Sequence, residues 1–234
     1  MTSTSFNSSG FNASGEHRLH VAARAGDLRA LRDALATGVD VDVPESATKS
    51  TALIVAALHG QVEAAKILIE HKANVHKNNH HGQTALIVAA SNGHHGLSLL
   101  LIESGSDIDH ADQWGATSLI WATAKGKHET IKLLVLRKAD ISRKTVEALA
   151  SLWEKNNTAP DIAAAKKDTV AAELLHTATL SISISTSSSG SSTSPSESKV
   201  PHESSDESLD GIHFHEDGAA QLARSHSDRA CRHR

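Results

Sequence analysis

The stretch TALIVAASNGHHGLSLLLIESGSDIDH, residues 84–110, has a gap-free counterpart on each side of it. Residues 51–77 read TALIVAALHGQVEAAKILIEHKANVHK, and residues 117–143 read TSLIWATAKGKHETIKLLVLRKADISR. Thr51, Thr84 and Thr117 therefore follow one another at a spacing of 33 residues. A constant period of this length in consecutive copies predicts a repeat architecture in which each copy is one structural unit.

Each copy predicts a pair of helices. The apolar run ALIVAA after Thr51 and Thr84 is hydrophobic nearly all round, as in a short helix packed between neighbours, and each threonine can cap its first turn. Gly60 and Gly93 then end this helix, since glycine takes a positive φ at little steric cost. A second helix with one apolar side follows, and a short β-like pair at residues 74–76 closes the copy. No copy can bury both of its faces alone, so the copies must stack.

The T-x-L-x-x-A core and the 33-residue period resemble the ankyrin repeat family over residues 16–176. The resemblance implies an all-α fold: an ankyrin repeat solenoid of stacked helix-turn-helix units with β-hairpin-like fingers, flanked by disordered termini. Lys72 and Lys138 occupy a position at which Gly38 and Gly105 keep glycine. If the backbone there is left-handed, each lysine costs about 1 kcal/mol.

The pattern also places the boundaries of the chain. Residues 1–15, rich in serine and asparagine, are expected to be disordered. In the first copy we place Arg18 at the threonine position, and Thr158 resumes the pattern in the last. An extra short helix is expected in the insertion, with Trp153 anchoring it on the stack. The repeats are placed at about 16–46, 47–79, 80–112 and 113–143, with an insertion at 144–157 and a divergent capping repeat at 158–176.

Residues 177–234 form a serine-rich segment that is too poor in large apolar side chains to pack, so a disordered tail is expected. Ser194 precedes a proline, Ser204 lies in an acidic run, and Ser227 follows an arginine by three residues. These patterns resemble kinase sites, and phosphate there would add charge and hydrogen-bond acceptors. A solubilising tail without modification is the alternative.

Composition excludes several classes of function. The net charge is −4, so neither half of the chain suggests nucleic acid. A single cysteine, Cys231, cannot form an internal disulfide, which favours a reducing compartment. The N-terminal residues contain no apolar stretch typical of a secretory signal, and no apolar run is long enough to span a membrane. We expect a monomer in the cytoplasm, with the nucleus as a second compartment, and no nucleic acid, membrane or small-molecule substrate as partner.

Catalytic motifs are absent from the sequence. It has no phosphate-binding glycine loop, no H-E-x-x-H, no C-x-x-C and no G-x-S-x-G, so we expect no enzymatic activity and no cofactor. Histidine is frequent, with 17 residues, but no spacing makes four of them converge as a zinc site requires. We therefore expect solvated loop histidines and no metal; a pH-sensitive binding surface is the alternative.

The resemblance implies that partners bind to the finger tips and to the concave face of the first helices. Carried over by position, it selects His80, His81, Gln83, Ser91, Asn92, Gln113, Trp114, Ala116 and Lys125. Trp114 on a loop tip is typical of a binding hot spot, or its ring packs on the next finger. Binding predicts that Trp114→Ala leaves the melting temperature nearly unchanged, whereas packing predicts a large loss of stability. Trp121 replaces a valine of the first helix and is expected to fill the core.

These features predict a protein–protein interaction module that acts as an intracellular adaptor or scaffold. The alternative is an inhibitor or regulator that blocks an enzyme or transcription factor by direct binding. Both use the same surface, so the sequence does not separate them.

Overall fold

A computed structural model describes residues 17–146 and 157–187 of the chain, with side chains to residue 180. All of these residues belong to one compact unit. They form ten helices in five pairs: α1 (Arg18–Ala25) and α2 (Leu28–Ala36), α3 (Ala52–His59) and α4 (Val62–Glu70), α5 (Ala85–Asn92) and α6 (His95–Glu103), α7 (Ser118–Ala124) and α8 (His128–Leu136), and α9 (Ala159–Ala165) and α10 (Thr169–Ser187). The expected all-α stack of helix pairs is confirmed over these ranges.

The residue before each first helix caps it. The hydroxyls of Thr51, Thr84 and Thr117 accept hydrogen bonds from the amide three residues later, as predicted. In the first pair the cap is His17, whose side chain accepts from the Leu19 amide, and not Arg18. The assignment of Arg18 was wrong by one residue because the link between the first two copies contains an additional residue. Imidazole, like hydroxyl, offers an acceptor to an exposed amide of the first turn.

Stacking buries the first helices almost completely. Each first helix packs against its own second helix and against the first helices of the neighbouring pairs. Leu53, Leu86 and Leu119, at one position of three successive copies, are all 1% exposed or less. The second helices bury one side only and leave the other in water, which agrees with their one-sided pattern.

The segments between pairs form fingers without regular strands in the described part of the chain. One isolated antiparallel bridge joins Asn78 and Thr84. Residues 75–76 lie in a turn, so the β-like pair expected at residues 74–76 was wrong. Neighbouring fingers are instead linked side by side: the amide of His80 donates to the Thr48 carbonyl at 3.0 Å, and that of Gln113 donates to the His81 carbonyl at 3.0 Å.

The position that alternates between glycine and lysine is left-handed in each of the first four copies. Gly38 and Gly105 have φ values of 74° and 87°, and Lys72 and Lys138 have 68° and 63°. The strain expected at the two lysines is therefore present. A side chain at Gly105 would meet no atom within 4 Å, so backbone conformation alone decides the preference there.

The last pair is attached through a carboxylate. Asp168 accepts from the Ala171 amide at 3.0 Å and lies 2.8 Å from Nε2 of His128, on α8 of the preceding pair. The Ala171 amide first, and then His128, lower the pKa of Asp168 below its usual value. Helix α10 continues to Ser187, so the boundary placed at residue 176 falls inside this helix.

Several expectations concern residues outside the described ranges. They are the disordered N-terminus, the additional helix with Trp153, and the phosphorylation of Ser194, Ser204 and Ser227. In the described ranges, no helix combines the length and the hydropathy that a bilayer span requires.

Replacing Lys138 with glycine is expected to raise the free energy of unfolding by about 0.5–1 kcal/mol. Relief of left-handed strain, about 1–2 kcal/mol, exceeds the entropy that glycine adds to the unfolded chain, about 0.4–1 kcal/mol. Gly105→Lys, at the same position of the preceding copy, should lower stability by a similar amount. Urea unfolding followed by circular dichroism measures both. A Lys138→Gly protein less stable than the wild type would contradict the strain.

Candidate functional site

The residues expected to contact a partner lie at the two ends of the first helices. One group lies on the finger tips that precede α5 and α7, and the other at the C-terminal ends of the same helices. A helix of eight residues separates the two groups by about 12 Å. His80, Asn92, Gln113 and Lys125 are exposed, whereas His81, Gln83, Ser91 and Trp114 are half-buried. Ala116 is 3% exposed and packs in the core, so it offers a partner no surface.

Each finger tip is shaped by one polar side chain. Oδ1 of Asn79 accepts from the amides of His81 and Gln83, at 2.9 and 3.0 Å. Oδ1 of Asp112 does the same for Trp114 and Ala116, two and four residues further on, at 3.0 and 2.9 Å. Such turns form because short Asn and Asp side chains replace a backbone acceptor. They set the backbone of both tips in the same way.

Four rings form a continuous row across two fingers, which we call the aromatic row. The centroids of His80 and His81 are 3.7 Å apart, and His81 stacks on Trp114 at 5.1 Å with an interplanar angle of 29°. Trp114 in turn meets Trp121 edge to face at 6.2 Å and 69°. Offset stacking and edge-to-face contacts are the arrangements that aromatic pairs favour. The row joins the tip before α5 to the tip before α7 and ends on α7 itself.

Asp112 holds the end of the aromatic row in place. Its second oxygen, Oδ2, accepts from the indole Nε1 of Trp121 at 2.7 Å, while Oδ1 bonds the tip backbone. Asp112 is 6% exposed, and both of its carboxylate oxygens accept hydrogen bonds from within the protein. Trp121 is only half-buried and does not simply fill the core as expected, because its N–H must reach this carboxylate. The equal spacing of Asn79 and Asp112 before Thr84 and Thr117 is a signal for these turns that sequence reasoning missed.

Hydrogen bonds also link the neighbouring fingers of the aromatic row. The Val146 amide donates to the Trp114 carbonyl at 2.9 Å, which adds a third link to the two described above. The side-chain amide of Gln113 lies 3.0 Å from Nδ1 of His81 and forms a hydrogen bond with it. His80, His81, Gln113 and Trp114 are therefore brought together into one tip surface, as the sequence suggested.

The residues at the helix ends are less closely connected. Ser91 and Asn92 both donate to the Val88 carbonyl, at 3.0 and 2.8 Å, within their own helix. Lys125 caps the end of α7 and is exposed. Leu58, at the position of α3 that corresponds to Ser91 of α5, is 50% exposed. These ends offer polar and apolar contacts in register with the tips.

The described residues contain no cluster of three or more histidine, cysteine, aspartate or glutamate side chains that could hold a metal ion. The imidazoles of the aromatic row instead contact rings, the Gln113 amide and the Thr48 carbonyl. The chemistry that this arrangement offers is therefore recognition: flat rings, amides and backbone groups on a rigid support.

A comparison with models of known protein families matches residues 19–112 to ankyrin repeats, in three copies. This match confirms the resemblance for the first three repeats; the fourth helix pair and the capping pair continue the same stacking. Ankyrin repeats are generally protein-interaction modules and a non-enzymatic fold. No curated protein matches the chain.

Trp121→Phe is expected to lower the free energy of unfolding by about 1.5–3 kcal/mol, because it removes a donor from the buried Asp112 carboxylate. Trp114→Phe is the matched control, since it keeps a ring against His81 and removes no bond to Asp112. Trp114→Phe should lower the free energy of unfolding by less than about 1 kcal/mol. Both values come from urea unfolding. Equal losses for the two variants would show that the indole–carboxylate bond contributes little.

Proposed function

Because residues 19–112 are ankyrin repeats, we propose that this protein is an interaction module that binds another protein as an intracellular adaptor or scaffold. Binding takes place on what we call the docking surface. It consists of the finger tips at residues 48–49, 79–83 and 112–115 and the first-helix ends at residues 58–59, 91–92 and 124–125. The protein acts as a monomer without a cofactor, and its task is to bind rather than to catalyse.

The observation that supports this proposal best is the half-buried Trp114 in the aromatic row. About a third or less of the side chain is still exposed, so a partner that covers it gains about 2 kcal/mol or less from the ring. Packing on His81 and Trp121 restricts the ring before the partner arrives, which lowers the entropy cost of binding. In this proposal Trp114 has both of the roles that the sequence left open: the ring packs on His81 and Trp121, and the part of it that remains exposed contacts the partner.

The fingers also suit this role because they are held at fixed distances. Backbone bonds from His80 to Thr48, from Gln113 to His81 and from Val146 to Trp114 link successive tips. A partner therefore meets a surface with one prearranged spacing and not separate mobile loops. Preorganised surfaces gain affinity mainly because less order has to be created on binding.

An inhibitor or regulator that blocks an enzyme or transcription factor is the second candidate function. It uses the same docking surface, and the difference lies in what the partner can do once bound. Adding the purified protein to an activity assay of a captured partner separates the two functions: lost activity indicates an inhibitor, and unchanged activity an adaptor.

Trp114→Ala is expected to remove the specific partner in affinity capture from a lysate, with a loss of affinity of tenfold or more, since a hot-spot residue contributes about 2 kcal/mol or more. The melting temperature should also fall by several degrees, because Trp114→Ala removes buried apolar area in addition to ring contacts of about 0.5–1.5 kcal/mol, so binding is compared at a temperature at which both proteins are folded. Quantitative mass spectrometry of captured proteins and a thermal melt provide the two measurements.

Leu136→Ala is the matched control for this experiment. Leu136 is 69% exposed at the end of α8 and lies outside the docking surface. Leu136→Ala therefore removes an exposed apolar side chain, as Trp114→Ala does, but leaves the docking surface unchanged. It should capture the same proteins as the wild type. A partner that is retained by Trp114→Ala but lost with Leu136→Ala would contradict the proposed surface.

A further inference from the structure

The carboxylates of repeats two to four are distributed unevenly. Residues 47–146 contain eight of them, and one, Asp112, lies at a finger tip. The other seven lie on the second helices or in the turns that follow them: Glu63, Glu70, Glu103, Asp107, Asp109, Glu129 and Asp140. Lys66 and Lys132 lie on the same second helices, so that side of the stack has mixed charge.

The carboxylates near the docking surface are already used inside the protein. Asp112 is 6% exposed and accepts from two amides and the Trp121 indole. Glu45, which precedes the first tip, is 8% exposed, accepts from the Thr48 hydroxyl at 2.5 Å and pairs with Arg24 at 3.6 Å. A partner that covers the docking surface therefore meets no exposed carboxylate there.

Cationic and imidazole groups lie on the same surface. Lys49 is exposed on the first tip, next to the Thr48 carbonyl that His80 contacts, and Lys125 is exposed at the end of α7. His59 and His80 are exposed, and His81 is half-buried. Leu58 and Trp114 supply apolar area between these groups. The docking surface thus offers positive or neutral donors around two apolar anchors.

We propose that the docking surface binds an acidic segment of a partner protein, with at least one large apolar side chain seated against Trp114. This inference rests on the proposed function and specifies the chemistry of the partner. Aspartate or glutamate side chains lie opposite Lys49 and Lys125, where they accept charge-assisted hydrogen bonds. A basic segment would face two ammonium groups without any compensating carboxylate, which makes it the disfavoured partner.

The number of cations separates an acidic protein from a nucleic acid. A nucleic-acid site of ordinary size places six to ten lysine or arginine side chains on phosphates, roughly. The docking surface has two lysines among polar and apolar contacts, with Trp114 on its third finger tip. Two lysines suit a few carboxylates on a segment that gains most of its affinity from the apolar anchors.

Peptide selection on the immobilised full-length protein tests this directly, with a random twelve-residue phage library as the probe. The selected peptides are expected to be enriched in aspartate, glutamate and large apolar residues relative to the library, and depleted in lysine and arginine. The double variant Lys49→Glu/Lys125→Glu should weaken a selected peptide about tenfold or more, and Lys49→Gln/Lys125→Gln by a smaller factor. Raising the salt concentration should reduce the difference between wild type and variants.

Lys66→Glu/Lys132→Glu is the matched control, since it makes the same charge change on α4 and α8. It should bind the selected peptide like the wild type, and thermal melts of all three double variants check their folding.

Peptides that need Trp114 but are neutral or basic would overturn the acidic partner while supporting the docking surface. Peptides that bind equally well to Trp114→Ala, or an empty selection, would count against both the proposed function and this inference. The selection could also yield no acidic peptides while the protein binds an oligonucleotide and the Lys49→Glu/Lys125→Glu variant does not. That result would overturn the acidic partner and identify a nucleic acid as the partner of this surface.

Discussion

Burial of the first helices is the constraint on which the rest of the structure depends. A helix that reads ALIVAA is apolar nearly all round, so one second helix cannot cover it. It needs a neighbouring first helix on each side, and the stack supplies this from α1 to α9. Leu53, Leu86 and Leu119 are buried in this way, and each contributes about 1.5–3 kcal/mol relative to an exposed side chain. Stability therefore arises between copies more than within them.

This dependence explains why the fingers are available for binding. Most of the hydrophobic free energy comes from the helices, and the fingers add only a few buried apolar side chains, such as Val75 and Ile141. The rest of each finger need only satisfy its own backbone groups. The fingers do so through Asx turns at Asn79 and Asp112 and through amide-to-carbonyl links between neighbouring tips. No large apolar side chain of a tip has to enter the core, and Trp114 stays partly exposed.

The stack also accepts local costs because its stability is distributed. Lys72 and Lys138 keep a left-handed backbone that glycine adopts more easily, yet their copies pack like the others. The same tolerance applies to Trp121, which replaces a valine of the first helix and reaches out to Asp112. A large residue in that position is accommodated because the finger tip directly before its helix provides an acceptor for the indole N–H.

Much of the fold could be predicted from the sequence because the helices of each repeat are specified by residues close together in the chain. Threonine caps, the apolar first helix and the glycine that ends it depend on residues within one turn of each other, and the 33-residue period shows that the copies are equivalent. The left-handed backbone at Lys72 could be predicted because Gly105 occupies the same position of the next copy. The finger-tip residues followed from the period as well, although the burial of Ala116 did not.

What the tertiary structure decided depends on contacts between copies. The stacking of His81 on Trp114, across 33 residues of chain, requires knowledge of the distance between neighbouring fingers. The bond from Trp121 to Asp112 requires knowledge of how a finger tip folds against the helix that follows it. Helix α10 packs against α8 and α9 and runs to Ser187, although its serine-rich end gives no helical signal in the sequence. The sequence by itself determined which units stack. Only the three-dimensional arrangement determined which side chains meet, because those distances are set by the packing of whole helices.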